Sequence, residues 1–306
     1  MIHAFAIEPR LVATWGSRAE YRFIHDKFGL GTPRVLLELP KFSAWKKAVY
    51  DAARELQLSD ADMKRVEDLF RLFSEHRHRR ADATYDGVLS WLANAEAEYG
   101  RRPFAGILAL ENPGGHGAVF VSDQLGPGNS RWALSAGVSI PRSPAAIALA
   151  LNAMLTHCSE LHLVDPHFGP QNARHRRVLE ALLDVAAQSA GSLQVIRVHC
   201  GDNVSLALFE SEAGLMATRL PSTLSVEFVR WKQRAGGDDL HNRYVLTDVG
   251  GVQFGTGLDD GRTGETDDVT LMARAQYDLR WNQYAQESGF ECVDRPAKVV
   301  GTRIRR

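Results

Sequence analysis

Apolar residues along this chain follow two periods, 3.6 residues for helices and two residues for strands. Residues 60–75 carry the clearest helical stripe, with Met63, Val66, Leu69, Phe70 and Phe73 on one face. Ser59, with Asp62 three residues on, marks its start as a helix cap. Further helices are predicted over about 45–56 and 85–99. Short apolar runs at 3–7, 35–39, 104–110 and 118–121 predict strands, the last two flanking a turn at Asn112-Pro113-Gly114-Gly115. These elements make the first region mixed α+β. The Gly-Pro-Gly-Asn-Ser run at 126–130 and the Pro141/Pro144 pair place a domain border near residue 140, giving regions 1–140 and 141–306.

Beyond that border helix and strand alternate. Helices are predicted over 144–156, 171–188, 203–217 and 275–286; Val178, Leu179, Leu182, Leu183 and Ala186 form the buried stripe of the second. Strands are predicted over 160–165, 193–199, 224–231, 243–247, 251–255, 268–272 and 290–293, with a polar loop at 259–267. Such alternation argues an α/β sheet covered by helices. Periodicity goes no further than a doubly wound α/β fold.

Composition narrows the function classes. At 306 residues, 44% hydrophobic and 24% charged, the chain has ample core for two domains of a soluble globular protein. A net charge of −1 gives no global attraction to nucleic acid or anionic membranes, so a polyanion site has to be a local patch. The basic runs are short: 76–80, 101–102, 174–177 and 303–306. The His76-to-Arg80 tract reads as an exposed helix end, and with Trp45 and Trp91 it offers the first region aromatic and basic contacts for a partner. Cys158, Cys200 and Cys292 are widely spaced and odd in number, which fits a reducing cytoplasm better than a disulfide framework or a zinc site. No apolar run approaches the ~20 residues of a membrane span, and no signal-peptide pattern opens the chain. The expected location is cytoplasmic.

The most informative stretch is Leu240-His241-Asn242-Arg243-Tyr244-Val245-Leu246-Thr247-Asp248, followed by Gly255-Thr256-Gly257-Leu258-Asp259. With a strand at 243–246, alternation extended backwards puts His241 and Arg243 on one surface. An imidazole beside a fixed guanidinium suits a phosphate ester, with a cation for the non-bridging oxygens and a group that attacks phosphorus or moves a proton. Plain structural readings stand beside this one. Asp248 also fits as the first residue of a Val249-Gly250-Gly251 hairpin, and Gly255 and Gly257 serve a tight bend as well as an anion site.

On these residues the chain resembles the phospholipase D superfamily, whose signature is His-x-Lys, four residues, Asp, six residues, Gly-Ser, two residues, Asn. Here the same spacing reads His241-x-Arg243, Asp248, Gly255-Thr256 and Asp259, with arginine for lysine, threonine for serine and aspartate for asparagine. The departures bring the segment close to the phospholipase D-like C-terminal domain of MIT-domain proteins, a non-catalytic branch. Leu161-His162-Leu163-Val164-Asp165-Pro166-His167-Phe168 is similar to that branch's strand ending in Asp-Pro-Tyr. The resemblance spans about residues 143–295 and implies a helix-covered mixed sheet of phospholipase D-like type in the C-terminal half.

The resemblance also implies a site. Its catalytic positions are His241, Arg243 and Asp248; its phosphate-binding positions are Gly255, Thr256, Asp165, His167 and Arg174; Asp259, Glu265 and Asp268 support them. The superfamily chemistry is metal-free, so no metal or cofactor is expected. Active members bring two motifs together, one histidine forming the covalent intermediate and the other protonating the leaving group. A chain with one motif needs a homodimer pairing two His241 residues or another acid in the same chain, or it is catalytically silent. The expectation is a phosphate-bearing ligand, such as nucleic acid, or a protein partner, within a bacterial defence or conflict system. The alternative is a metal-independent phosphodiesterase or nuclease acting as a homodimer through His241.

Overall fold

The computed structural model describes residues 1–80, 82–188 and 193–304, in two compact units, Ile2–Ser135 and Ala136 onward. In the first unit the elements run β1 (His3–Ile7), α1 (Pro9–Thr14), α2 (Arg18–His25), β2 (Arg34–Leu37), α3 (Phe42–Glu55), α4 (Asp60–Glu75), β3 (Arg77–His78), α5 (Trp91–Arg101), β4 (Gly106–Leu108) and β5 (Val119–Phe120). Among the described residues the strands form one sheet, β3-β2-β1-β4-β5, in which every neighbouring pair is parallel. The expected mixed α+β arrangement is therefore corrected to a parallel α/β one. Parallel sheets need cover on both faces, and β2 is buried at every position. Aromatic residues dominate the core on one side: Phe5, Phe28, Trp45, Phe73, Phe120 and Trp132 pack in edge-on and tilted contacts.

Several contact residues expected at the surface are inside. His76 and His78 are buried, because the chain passes from α4 directly into the edge strand β3 rather than fraying into solvent. Trp45 is buried and donates its indole N–H to Ile7 O at 2.7 Å. Trp91 donates to Leu39 O at 2.8 Å, and Arg80 is tied to the buried Glu98 at 2.9 Å. The aromatic and basic tract thus holds the unit together.

The second unit contains β6 (Gly137–Pro141), α6 (Pro144–Leu155), β7 (Glu160–Val164), α7 (Ala173–Ala186), β8 (Val195–Gly201), α8 (Leu206–Leu215), β9 (Ser225–Lys232), β10 (Arg243–Thr247), β11 (Gly250–Phe254), β12 (Thr266–Leu271), α9 (Arg274–Tyr284), β13 (Glu291–Cys292) and β14 (Ala297–Val300). Its sheet is mixed, in the order β13-β9-β8-β7-β10-β11-β12-β6, with β14 also on β9. Strands β7, β8 and β9 are parallel, and the remaining pairs are antiparallel. Helix α7 buries Val178, Leu179, Leu182, Leu183 and Ala186, the stripe read from its periodicity.

Register decides what this sheet brings together. Tyr244 of β10 pairs antiparallel with Val164 of β7, so the end of β7 lies beside the start of β10. Arg243 pairs with Phe254, so the Gly255-Thr256 turn leaves β11 at the same edge. Thr266 pairs with Pro141, adding the segment after β6. Four chain segments distant in sequence meet at one sheet edge.

Candidate functional site

A cleft of about 610 Å³ opens at that edge. Arg142, Asp165, His167, Asn172, Arg174, Arg243, Thr256, Asp259, Arg262 and Glu265 contribute to its wall. Arg243, the first residue of β10, is half-buried. Its Nε is buried without a hydrogen-bond partner, and no carboxylate among the described residues pairs with its guanidinium. A buried donor without an acceptor costs roughly 1–3 kcal/mol until a ligand or water satisfies it.

Two other arginines of the wall, Arg142 and Arg174, are engaged. Arg142, only 10% exposed in its side chain, bonds Asp259 and also Glu265, the latter at 3.1 Å. Arg174 bonds the other oxygen of Asp259 at 2.9 Å and the Asp260 carbonyl. Asp259 is therefore an internal anion held by two guanidinium groups. Arg177 pairs with Asp260 at 2.6 Å. Arg176 donates to Pro170 O. The basic run in α7 is thus spent mostly on the protein itself.

Asp165, expected to touch phosphate, does other work. It is buried, and its two oxygens accept from His167 N and Leu258 N at 2.9 Å each. It fixes the turn after β7 and the Gly257-Leu258-Asp259 segment; a side chain at Gly257 would crowd Asp259 Oδ1. His167 is exposed on the cleft wall, and no side-chain partner engages its imidazole among the described residues. The buried His175 borders the same cleft; its Nδ1 accepts from Gly169 N at 3.2 Å, so the proton of the neutral ring sits on Nε2. Burial, opposed by the nearby Asp165 and Asp259, holds His175 below the usual imidazole range.

Gly255 and Thr256 do not offer free backbone donors. Both N–H groups bond Asp267 Oδ1 at 3.0 Å. The supporting carboxylate on β12 is accordingly Asp267 and not Asp268. β12 alternates exposed and buried from Thr266, so Asp267 points inward and Asp268 faces solvent. What Thr256 leaves at the cleft is its hydroxyl. Glu265 lies on the cleft wall, accepting from Arg142 and from Arg262 N at 3.0 Å. That backbone bond, first, and the surrounding arginines hold it below the usual carboxylate range.

Two of the three expected catalytic positions stand apart from the cleft. Asp248 lies at the far end of β10, where it accepts from Ser159 N (2.8 Å), Ser159 Oγ (2.6 Å) and Glu160 N (3.2 Å). It ties the β10–β11 hairpin to the start of β7, a structural role about a strand's length from Arg243. His241 precedes the strand, is exposed and does not line the cleft; its own N–H bonds Asp239 O. Alternation fixes a face only within a strand, and β10 begins at Arg243.

Arg142, Asn172 and Arg262 line the cleft without having been singled out in the sequence. Arg142 follows a strand and precedes the helix cap Ser143, where the surrounding prolines read only as a boundary. Among the described residues, the wall groups open to a ligand include the Arg243 guanidinium, the His167 imidazole, the Arg262 side chain, the Thr256 hydroxyl and the Asn172 amide nitrogen. All are donors or cations. Among the described residues no cluster of three or more His, Cys, Asp or Glu residues is arranged to hold a metal, and no helix is long and apolar enough to cross a membrane.

No family model matches this chain, and no curated protein is similar to it. In structure the chain is similar to Nuc from Salmonella typhimurium, a phospholipase D family member, with 6% identity and a TM-score of 0.33 over 52% of this chain and 98% of that one. It is also similar to TrmBL2, an archaeal chromatin protein whose structure shows a novel mode of DNA binding, with 12% identity and a TM-score of 0.28 over 79% and 82%.

Proposed function

We propose that the second unit is a phospholipase D-like domain with a single degenerate His-x-Arg motif, and that its cleft binds a phosphate-bearing ligand such as nucleic acid. The observation that carries this reading is Arg243, a half-buried guanidinium with an unsatisfied Nε and no carboxylate partner among the described residues. Arginine's planar fork of donors matches two phosphate oxygens at once. His167, Arg262 and Thr256 add donors around the same opening. Because Asp259 and Glu265 neutralise Arg142 and Arg174, few positive charges remain for a ligand. Binding is therefore expected to be modest and sensitive to salt.

The altered motif supports binding over turnover, in keeping with its resemblance to the non-catalytic branch in MIT-domain proteins. His241 lies outside the cleft wall, and Asp248 is committed to the hairpin. The reading is tested by thermal unfolding with and without inorganic phosphate or a dinucleotide. Either ligand is expected to raise the midpoint of the wild type by mass action and to leave Arg243→Ala unmoved. Equal shifts in both proteins contradict it.

One observation favours a second reading, a homodimeric phosphodiesterase. The His241 imidazole is exposed and makes no side-chain bond among the described residues, which leaves it open to a second copy of the chain. Metal-free cleavage of DNA or RNA in EDTA, lost in His241→Ala and accompanied by a dimer in sedimentation, would support this reading.

A further inference from the structure

Helix α3 in the first unit carries two stripes, one buried in the core and one whose partly buried Phe42 and Tyr50 rings pack against the core's outer side. Trp45, Val49, Ala52 and Ala53 are buried. On another face Phe42, Lys46, Tyr50 and Arg54 recur at helical spacing, with Lys47 beside them. This stripe and Met63 of α4 border an open groove of about 640 Å³. The groove's lining is chiefly apolar, supplied by the Phe42 and Tyr50 rings, Met63 and the lysine stems. Its charged lining groups are all cations.

The cations are not equally committed. Arg54 pairs with Asp51. Lys46 has no carboxylate partner among the described residues; its ammonium lies 5.8 Å from the Phe42 ring centre and 5.2 Å from that of Phe70. A cation held over rings keeps its charge available. Lys47 is exposed and likewise unpaired among the described residues. Two acids touch this stripe, Asp51 at Arg54 and Glu67, which accepts from the Tyr50 hydroxyl at 3.5 Å.

Apolar side chains interleaved with Lys46, Lys47 and the exposed Arg54, whose surface pair with Asp51 is weak enough to exchange for a ligand carboxylate, complement a surface that alternates apolar side chains with carboxylates. From Lys46 to Arg54 the cations span eight residues, about 12 Å along the helix. One anionic headgroup reaches one end of that span, whereas carboxylates on successive turns of a peptide helix reach both. We propose that this groove docks an acidic amphipathic helical peptide from a partner protein, in the helix-in-groove manner. The proposal is independent of the anion cleft, which lies in the other unit.

The full-length protein would be titrated into a fluorescein-labelled peptide of about 14 residues, four helical turns, with leucine and phenylalanine on one face and glutamate on the other. Saturable binding that weakens about tenfold or more in Lys46→Glu/Lys47→Glu, weakens in Tyr50→Ala and is unchanged in Arg243→Ala supports the proposal. Lys47→Glu alone, at an exposed position, gives a milder variant should the double one unfold, and it is expected to weaken binding several-fold. No saturable binding, equal binding of a peptide with lysine in place of glutamate, or full retention in the charge-reversed variants overturns it. Displacement of the peptide by a labelled twelve-carbon fatty acid, with that acid binding more tightly, assigns the groove to an acyl chain and also overturns it.

Discussion

Arg174 and Asp259 meet at 2.9 Å on the cleft wall, and Arg142 grips the same carboxylate from the segment after β6. The cleft thus carries its own anion, and a phosphate bound as proposed would compete with Asp259 for both guanidinium groups. Asp259→Asn removes the competing charge and keeps the shape of the side chain. The expected result is a three- to tenfold gain in oligonucleotide affinity at low salt, about 1 kcal/mol, checked by fluorescence anisotropy. Unchanged affinity would mean that ligands do not reach those arginines.

Asp267 and Asp268 are adjacent but perform different tasks. Asp267→Ala leaves the Gly255 and Thr256 N–H groups without their acceptor and should cost about 2 kcal/mol of unfolding free energy. Asp268→Ala, on the exposed face of β12, should change stability by less than about 0.5 kcal/mol. Urea denaturation of the two variants checks this, and equal costs would contradict the assignment.

Distance from the Gly-Thr turn leaves Glu265 and Asp268 both open as the supporting acid, and the apolar pattern predicts a strand that begins at residue 268. The strand begins instead at Thr266, and in a period-two element that boundary decides which carboxylate turns inward. Where the local pattern was strong the elements were legible: α4 spans 60–75 and β10 spans 243–247, as their periodicities predict. Short α1 and α2 were not anticipated, the first because Pro9, Leu11, Val12 and Ala13 are all buried and leave no polar face to create a period. The cleft was half legible. The Gly-Thr turn and the Asp-Pro turn were visible as local chemistry, whereas Arg142 reaches Asp259 only through the pairing of β6 with β12. Nothing local to Asp248 distinguishes a catalytic acid from one that caps a neighbouring strand.

A buried histidine pair gives the second unit a pH dependence. The Trp231 indole donates to His199 Nδ1 at 2.9 Å, and His199 Nε2 lies 3.0 Å from His162 Nδ1. An indole only donates, so His199 carries its proton on Nε2 and passes it toward His162 Nδ1; His162 is then protonated on Nε2, 3.6 Å from Glu160. Burial lowers His162 to about 4 and His199 well below the usual imidazole range. Both folded-state values lie under the unfolded one, so the unfolded chain binds more protons in acid. Stability is retained above about pH 6.5 and falls as pH drops toward 4, by roughly 2 kcal/mol at pH 5 for His162 alone. Denaturation midpoints between pH 7.5 and 4.5 should fall less steeply in His162→Gln than in the wild type. Parallel curves would contradict neutral burial of this pair.

The most direct test of the anion site is the affinity of wild type and Arg243→Ala for a labelled oligonucleotide across a salt series. Loss of affinity in the variant by about tenfold or more, with the salt slope reduced by about one, is the predicted result. Equal affinity and equal slope in the two proteins would contradict Arg243 as the anchor for a phosphate-bearing ligand.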